Sequence, residues 1–208
     1  MQSVTDFTMP LFNTKVKSLP NGFICHQNTI SSVKADALYH YLLDECAWQQ
    51  PKIVIYGKTV SIPRLQCYIA DEGLEYQYSG LTMAPEPWSA VLLAIKNRLS
   101  HTFGVPFNAL LVNWYRDGQD SMGWHSDDEP ELGREPCIAS LSLGASRLFK
   151  MRQKQTLQVY NLQLQSGDCL LMSGRSQLDF QHSLPKQPSV KQGRINLTFR
   201  YVLPHHVR

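Results

Sequence analysis

The pattern of hydrophobic residues predicts an α+β fold that is mainly β: a sandwich or jelly-roll-like barrel buttressed on one face by two helices from the N-terminal half. Three observations predict it. From about Ala109 onward the chain is a run of short β-branched, aromatic and alternating segments, ALLVNWY, CIASLSL, RLFKM, LQVYNLQL, DCLLM, LDFQHSL and RINLTFRYV, parted by turn formers. Seven such strands imply a sandwich or a barrel. Ahead of them lie two stretches whose apolar residues recur at three- and four-residue steps, the helical period. Finally, 208 residues without a break in composition suffice for one sizeable core, so the expected organisation is a single domain over 1–208.

Taken in order, the opening thirty residues hold several turn formers and are expected to lie across the surface of the core. The first helix is VKADALYHYLLDEC, with Ala35, Leu38, Tyr41, Leu42 and Cys46 on one face and Ser31 or Ser32 as N-cap. KIVIYG and LQCYIA read as a hairpin or an extension outside the main sheet system. A second helix begins near Pro85 and Pro87. Its stripe of Trp88, Val91, Leu92, Ile95 and Leu99, with Lys96 and Arg98 off it, calls for a flat partner such as a sheet.

Composition excludes several classes. No apolar run is long enough for a membrane-spanning helix, and the first residues, MQSVTDFTMPLF, do not resemble a secretion signal, so a cytoplasmic protein is expected. The five cysteines, Cys25, Cys46, Cys67, Cys137 and Cys169, are scattered without a C-x-x-C pair and are expected to be reduced and mostly buried. A formal net charge of +3 permits a polyanionic partner without demanding one.

Chemistry enters with WHSDD. His125 and Asp127 stand two apart, so on an extended segment both side chains leave one face and reach one ion. In LDFQHSL the same period puts Leu178, Phe180 and His182 on one face. Two imidazoles and a carboxylate on one side of an octahedral ion leave three positions open, the requirement of ferrous iron binding an oxoacid and oxygen together. Zinc accepts the same three ligand types, and a dianionic cosubstrate nearby is what would separate the two. His26, His40, His101, His205 and His206 form no rival set and read as structural or surface residues.

RINLTFRYV bears on that question. Arg194, Asn196, Thr198 and Arg200 alternate with Ile195, Leu197, Phe199 and Tyr201, giving one polar and one apolar face. That polar face either meets water or, if the apolar face packs beneath helices, lines the barrel cavity. There, two guanidinium forks could grip the two ends of a short diacid. Asn113 and Tyr115 share a face just ahead of WHSDD and suit carboxylate oxygens as hydrogen-bond donors.

The order N-W-Y, W-H-S-D-D-E, H-S-L-P and R-I-N-L-T-F-R strongly resembles the AlkB family of nucleic-acid dealkylating dioxygenases, closest to its double-strand DNA repair branch. The resemblance runs from about Lys52 to Leu203 and includes P-R-L-Q, Y-x-Y-S-G-L-T and the N-W-Y-R-D-G turn. It implies a double-stranded β-helix core at about 105–203, preceded by a nucleotide-recognition lid at about 50–82. It implies iron(II) on His125, Asp127 and His182, and 2-oxoglutarate held by Asn113, Tyr115, Arg194 and Arg200, with Asn196 and Thr198 along the same wall. The implied reaction consumes 2-oxoglutarate and O2 and removes methyl groups from 1-methyladenine or 3-methylcytosine in DNA, single- or double-stranded, as formaldehyde, with succinate as by-product. RNA or a protein side chain is the alternative substrate, and a zinc hydrolase or a non-catalytic nucleic-acid binding module the alternative class. Reaching the target atom means flipping the base.

For the flipped base the resemblance suggests Tyr76, Tyr78 and Ser79 in EYQYSGLT, Arg64 in IPRLQ, and Asp128 and Glu129 as acceptors for an exocyclic amine. The plain alternatives are a strand with buried aromatics, a surface arginine and a solvated acidic loop. Ile55, Tyr56 and Gly57 fall where duplex-repair relatives carry an apolar wedge, with tyrosine for the more usual phenylalanine. KQPSVKQG keeps only Lys186 and Lys191 where such relatives carry a basic run, which puts a duplex preference in doubt. A monomer is expected.

Overall fold

Two antiparallel sheets face one another, and the space between them holds both a hydrophobic core and the polar cavity described below. A computed structural model describes residues 16–203 other than 18, 56, 79 and 80, with 16, 55, 76–78 and 81–83 described in backbone alone. In chain order the elements are β1 (Val16–Lys17), β2 (Phe23–His26), α1 (Ser32–Glu45), β3 (Lys52–Ile55), β4 (Lys58–Ser61), β5 (Leu65–Ala70), β6 (Tyr76–Tyr78), β7 (Leu81–Met83), α2 (Ala90–Phe103), β8 (Ala109–Tyr115), β9 (Met122–His125), β10 (Ile138–Gly144), β11 (Arg147–Gln153), β12 (Val159–Leu164), β13 (Cys169–Met172), α3 (Ser176–Asp179), β14 (Phe180–Leu184) and β15 (Arg194–Arg200). The major sheet runs β1-β2-β13-β10-β15-β8-β5 and the minor sheet β12-β11-β14-β9; β3-β4 and β6-β7 are separate hairpins.

Both predicted helices form, although α2 begins at Ala90 rather than near Pro85 and Pro87, so that Trp88 precedes it. Ser31 Oγ caps α1 by accepting from the Lys34 amide at 3.4 Å, and Ser89 Oγ caps α2 from Leu92 at 3.3 Å. Gly104, in the left-handed region at φ 66°, ends α2. Ala35, Leu38 and Leu42 of α1, with Val91, Leu92, Ile95 and Leu99 of α2, bury against the outer face of the major sheet. Each large apolar side chain so buried contributes about 1.5–3 kcal/mol. On the inner side Phe23, Ile138, Met151, Leu162, Leu170 and Phe180 fill the space between the sheets. The major sheet is therefore covered on both faces, which is why β10 and β13 read as nearly unbroken buried runs.

Two expectations need correction. The opening thirty residues do not merely cross the surface: β2 extends the major sheet beside β13 (Ile24 opposite Leu171), and Cys25 and Ile30 are wholly buried. Nor does LQCYIA stand outside the core. As β5 it pairs with β8 along six residues, because Cys67 and Ile69 on one face and Tyr68 and Ala70 on the other all find apolar neighbours. KIVI instead pairs with KTVS, with Gly57, just ahead of KTVS, at φ 76°. Among the described residues no helix is long and apolar enough to cross a membrane, and all five cysteines are free.

Candidate metal centre and anion cavity

β9 and β14 are neighbours in the minor sheet, and their register sets His125 directly opposite His182. The two rings lie 4.2 Å apart, centroid to centroid. Asp127 comes from the loop beyond β9 rather than from an extended segment shared with His125, a correction to the period-two expectation. Gln177 Oε1 accepts from its amide at 3.0 Å, and Ser126 Oγ donates to the Phe180 carbonyl at 2.9 Å, so the loop folds the carboxylate back between the imidazoles. Asp127 Oδ1 then stands 3.9 Å from His125 Nε2, and Oδ2 stands 3.8 Å from His182 Nε2. Donor atoms of all three residues lie within 4.8 Å of one another, forming the only such group among the described residues.

Leu178 does not join His182 on a shared face. Ser176–Asp179 closes one helical turn, secured by an Arg175–Asp179 ion pair at 2.8 Å, and Leu178 is left 44 % exposed. Phe180 and His182 do alternate inward, and Phe149 stacks on the His182 ring at 5.3 Å.

The electrostatics prepare the three groups as ligands. Burial opposes ionisation of Asp127, but the Arg200 guanidinium and the two imidazoles outweigh it and hold its carboxyl down to about 2. Burial, then the neighbouring His125, push His182 down to about 3, so that ring is neutral with a lone pair to give. His125 Nδ1 bonds the Gly123 carbonyl at 2.9 Å, which puts the proton on Nδ1 and leaves Nε2 as donor atom toward Asp127. Asp127 Oδ2 and His182 Nδ1 are buried without a hydrogen-bond partner among the described residues, a costly arrangement for polar atoms. An octahedral cation with a preference for imidazole and carboxylate fits this donor set.

Opposite His125, Asp127 and His182 lies the polar face of β15. Its apolar face, Ile195, Leu197 and Phe199, is sealed beneath the helices, so Arg194, Asn196, Thr198 and Arg200 line the cavity with Asn113 and Tyr115 of β8. Arg200 Nη2 donates to Asp127 Oδ1 at 2.9 Å and so sits at the metal end. Arg194 lies at the other end, donating from Nη2 to Ser142 Oγ at 2.9 Å, while its buried Nε has no partner among the described residues. Its guanidinium also lies 5.6 Å from the centre of the Tyr115 ring. Burial pushes Arg194 down to about 10, which leaves it cationic at neutral pH. Asn196 Nδ2 donates to Ser140 Oγ at 2.8 Å and to the Leu141 carbonyl at 3.1 Å, fixing the wall between the two arginines.

Arg64 is buried, lines the same cavity and donates from Nε to Asn113 Oδ1 at 2.8 Å, so it is no surface arginine. Asp128 points outward toward Lys154 at 3.9 Å; neither it nor Glu129 lines the cavity. Tyr56 and Ser79 lie outside the described residues, as do the side chains of Ile55, Tyr76 and Tyr78. Lys191 turns to the Pro188 carbonyl at 2.8 Å.

Several lining or supporting residues escaped the sequence reading. Ser140 and Ser142 are polar positions in CIASLSL that alternate with Ala139, Leu141 and Leu143, the same signal that marks β15. Arg147 shares a face with Phe149 and Met151, and an arginine in step with apolar residues signals a buried, bonded guanidinium. Its groups donate to the carbonyls of Asp117 (2.9 Å), Asp120 (2.8 Å) and Pro185 (2.9 Å). It thereby ties the loop after β8 to the segment that follows His182.

Comparison with known proteins agrees with this geometry. The 2OG-Fe(II) oxygenase superfamily matches residues 22–200. Bos taurus "Alpha-ketoglutarate-dependent dioxygenase alkB homolog 3" is 42% identical over 181 residues, covering 82% of this chain and 63% of that protein. Homo sapiens "DNA oxidative demethylase ALKBH2" is 41% identical over 194 residues, 88% of this chain and 74% of that protein. The chain thus spans less than two thirds of the alkB homolog 3 relatives it matches. A solved structure, "The structure of OsALKBH1", superimposes with a TM-score of 0.67 at 17% identity, covering 89% of this chain and 100% of that one, a likeness of fold consistent with a jelly-roll core. On these matches the chain belongs to the 2OG-Fe(II) oxygenase superfamily and, within it, to the AlkB family.

Proposed function

We propose that the chain is an iron(II)- and 2-oxoglutarate-dependent dioxygenase that removes small N-alkyl groups from DNA bases. The observation that carries it is one cavity with His125, Asp127 and His182 at one wall and the paired guanidinium groups of Arg194 and Arg200 at the other. The names of the relatives, dioxygenase and DNA oxidative demethylase, support the same reaction. The three ligands would hold iron(II). When bound, iron with 2-oxoglutarate and O2 supplies the oxidation that hydroxylates an N-methyl group, releasing succinate, CO2 and then formaldehyde.

The residues of the chain do the positioning. Arg194 meets the far carboxylate of 2-oxoglutarate, and Arg200 the carboxylate beside the metal ligands. Asn113 and Tyr115 donate to its oxygens; Asn196 and Thr198 keep the wall polar along its length. Phe149, Leu111 and Met172 exclude water from the remaining space. Arg64, by bridging to Asn113, links the cofactor wall to the side on which the base enters. Tyr76, Tyr78, Ser79, Asp128 and Glu129 would complete that entrance. Ile55, Tyr56 and Gly57 at the β3-β4 turn would fill the gap left by a flipped base. A zinc hydrolase leaves the two buried arginines without a task.

The test is formaldehyde release from oligonucleotides bearing 1-methyladenine or 3-methylcytosine, with iron(II), 2-oxoglutarate and O2 present. Release from DNA that His125→Ala abolishes is the expected result, and no release overturns the reading. Methylated RNA and peptides run alongside decide the substrate, and a strong peptide preference ends the nucleic-acid claim. Monomeric state and cytoplasmic location belong to the same proposal; sedimentation and cell fractionation check them.

A further inference from the structure

A second pocket lies away from the cavity, between the C-terminus of α1, the start of β5 and the segment that leads into α2. Tyr41, Glu45, Cys46, Cys67, Glu86 and Trp88 line it. Cys46 is the C-cap of α1, partly buried, with its amide bonded to the Leu42 carbonyl at 3.1 Å. Cys67 is buried in β5 but opens onto the same pocket. The chain is pinned on both sides of them: the Gln49 amide donates to the Gln66 carbonyl at 2.9 Å and the Gln66 amide to the Gln49 carbonyl at 2.8 Å. This antiparallel bridge, three residues after Cys46 and one before Cys67, holds both cysteines against the same pocket.

We propose that Cys46 and Cys67 are an oxidisable dithiol, a modification site that closes to a reversible disulfide on reaction with a small neutral peroxide. Hydrogen bonds from Cys46 and the Ala47 amide favour the thiolate on Cys67, while the adjoining sulfur and burial hold Cys46 in its thiol form. The pair is thus a nucleophile beside its resolving partner. Glu45 and Glu86 on the rim set the class of oxidant, since their charge disfavours anionic glutathione disulfide and leaves uncharged hydrogen peroxide free to enter.

The step balances. Cys67 thiolate attacks one peroxide oxygen, giving a sulfenic acid and hydroxide, which takes up the proton released by Cys46. Sulfur of Cys46 then displaces hydroxide from the sulfenic acid, and that hydroxide leaves as water with the proton that Cys67 gave up on ionising. Two thiols are oxidised by two electrons and one peroxide is reduced to two waters. The bond encloses the β3-β4 hairpin, because Lys52–Ser61 lies between the two cysteines. It acts on chain topology and does not depend on the proposed metal.

The full chain, without added iron, is treated with hydrogen peroxide, alkylated and digested with trypsin. The expected product links peptide 35–52, which holds Cys46, to peptide 65–96, which holds Cys67. It is lighter by two hydrogens and separates on reduction. The oxidised chain melts roughly 5–10 °C higher than the reduced one, a gain that dithiothreitol reverses. Glutathione disulfide forms the link more slowly. Cys46→Ser abolishes it, and Cys137→Ser leaves it intact. Unlinked peptides, with Cys46 recovered as sulfinic acid or unchanged, overturn the proposal, and so does a link to any other cysteine. The wild-type peptide map decides the matter even if a variant folds poorly.

Discussion

Asp127 answers to three neighbours at once: its carboxylate accepts from Arg200 and faces both imidazoles, and among the described residues Oδ2 has no hydrogen-bond partner. Asp127→Asn therefore replaces a proposed ligand and removes the charge that pairs with the buried Arg200 guanidinium. We expect loss of demethylation together with destabilisation of about 3–5 kcal/mol, read from denaturant melts, whereas a ligand with no structural tie would lose activity alone. Arg147 makes the complementary case away from the ligands. Arg147→Met leaves the carbonyls of Asp117, Asp120 and Pro185 without their donor and should cost about 3 kcal/mol or more by the same measurement. The β15 arginines were legible because each sits in a strict two-residue alternation, His182 because it alternates with Phe180, and His125 only as one member of an H-x-D pair. Asp127 was legible as a residue but not as a geometry, since a loop bent back by Gln177 leaves no periodic trace. Arg147 carried a signal, its register with Phe149 and Met151, that charge alone obscures.

Between strands, the turn from β8 to β9 is held by side chains rather than by a short hairpin. Asp120 accepts from the Arg116 amide at 2.9 Å and its Nε at 2.7 Å, and Gly118 lies so close to the Gln187 backbone that a Cβ there has no room. Burial opposes the Asp120 charge, but the Arg116 side chain and amide prevail and hold its carboxyl below the ordinary 3.8. A depressed carboxyl contributes stability that is complete above 3.8 and is lost as pH falls through the lower folded value. Asp120→Asn should thus melt below wild type at pH 7, and the gap should narrow as acid is added below 3.8. A gap that widens on acidification would contradict this account. The two helices were legible from their stripes and serine caps. The placement of β2 and β5 was not, because a strand's neighbours depend on which edge needs covering, a property of the assembled sheet and not of the segment.

Across the whole molecule, a seven-stranded layer buried on both sides carries the anion-binding wall, while a four-stranded layer carries two of the three proposed ligands. A strand count predicts the class of architecture but not which strands share a layer, since that is decided by long-range pairing. Within the minor sheet β9 is the outermost strand, joined among the described residues only to β14, with a register irregularity between His182 and Leu184. An outermost ladder opens more readily than a central one. Because His125 ends that strand, an ion bridging it to His182 and Asp127 would act as a clasp on the sheet's margin. Amide hydrogen exchange in Met122–His125 should then slow by roughly tenfold or more when iron(II) and 2-oxoglutarate are added without oxygen, with little change at the far margin in Val159–Leu164. Loading this site would be, in part, the last act of folding.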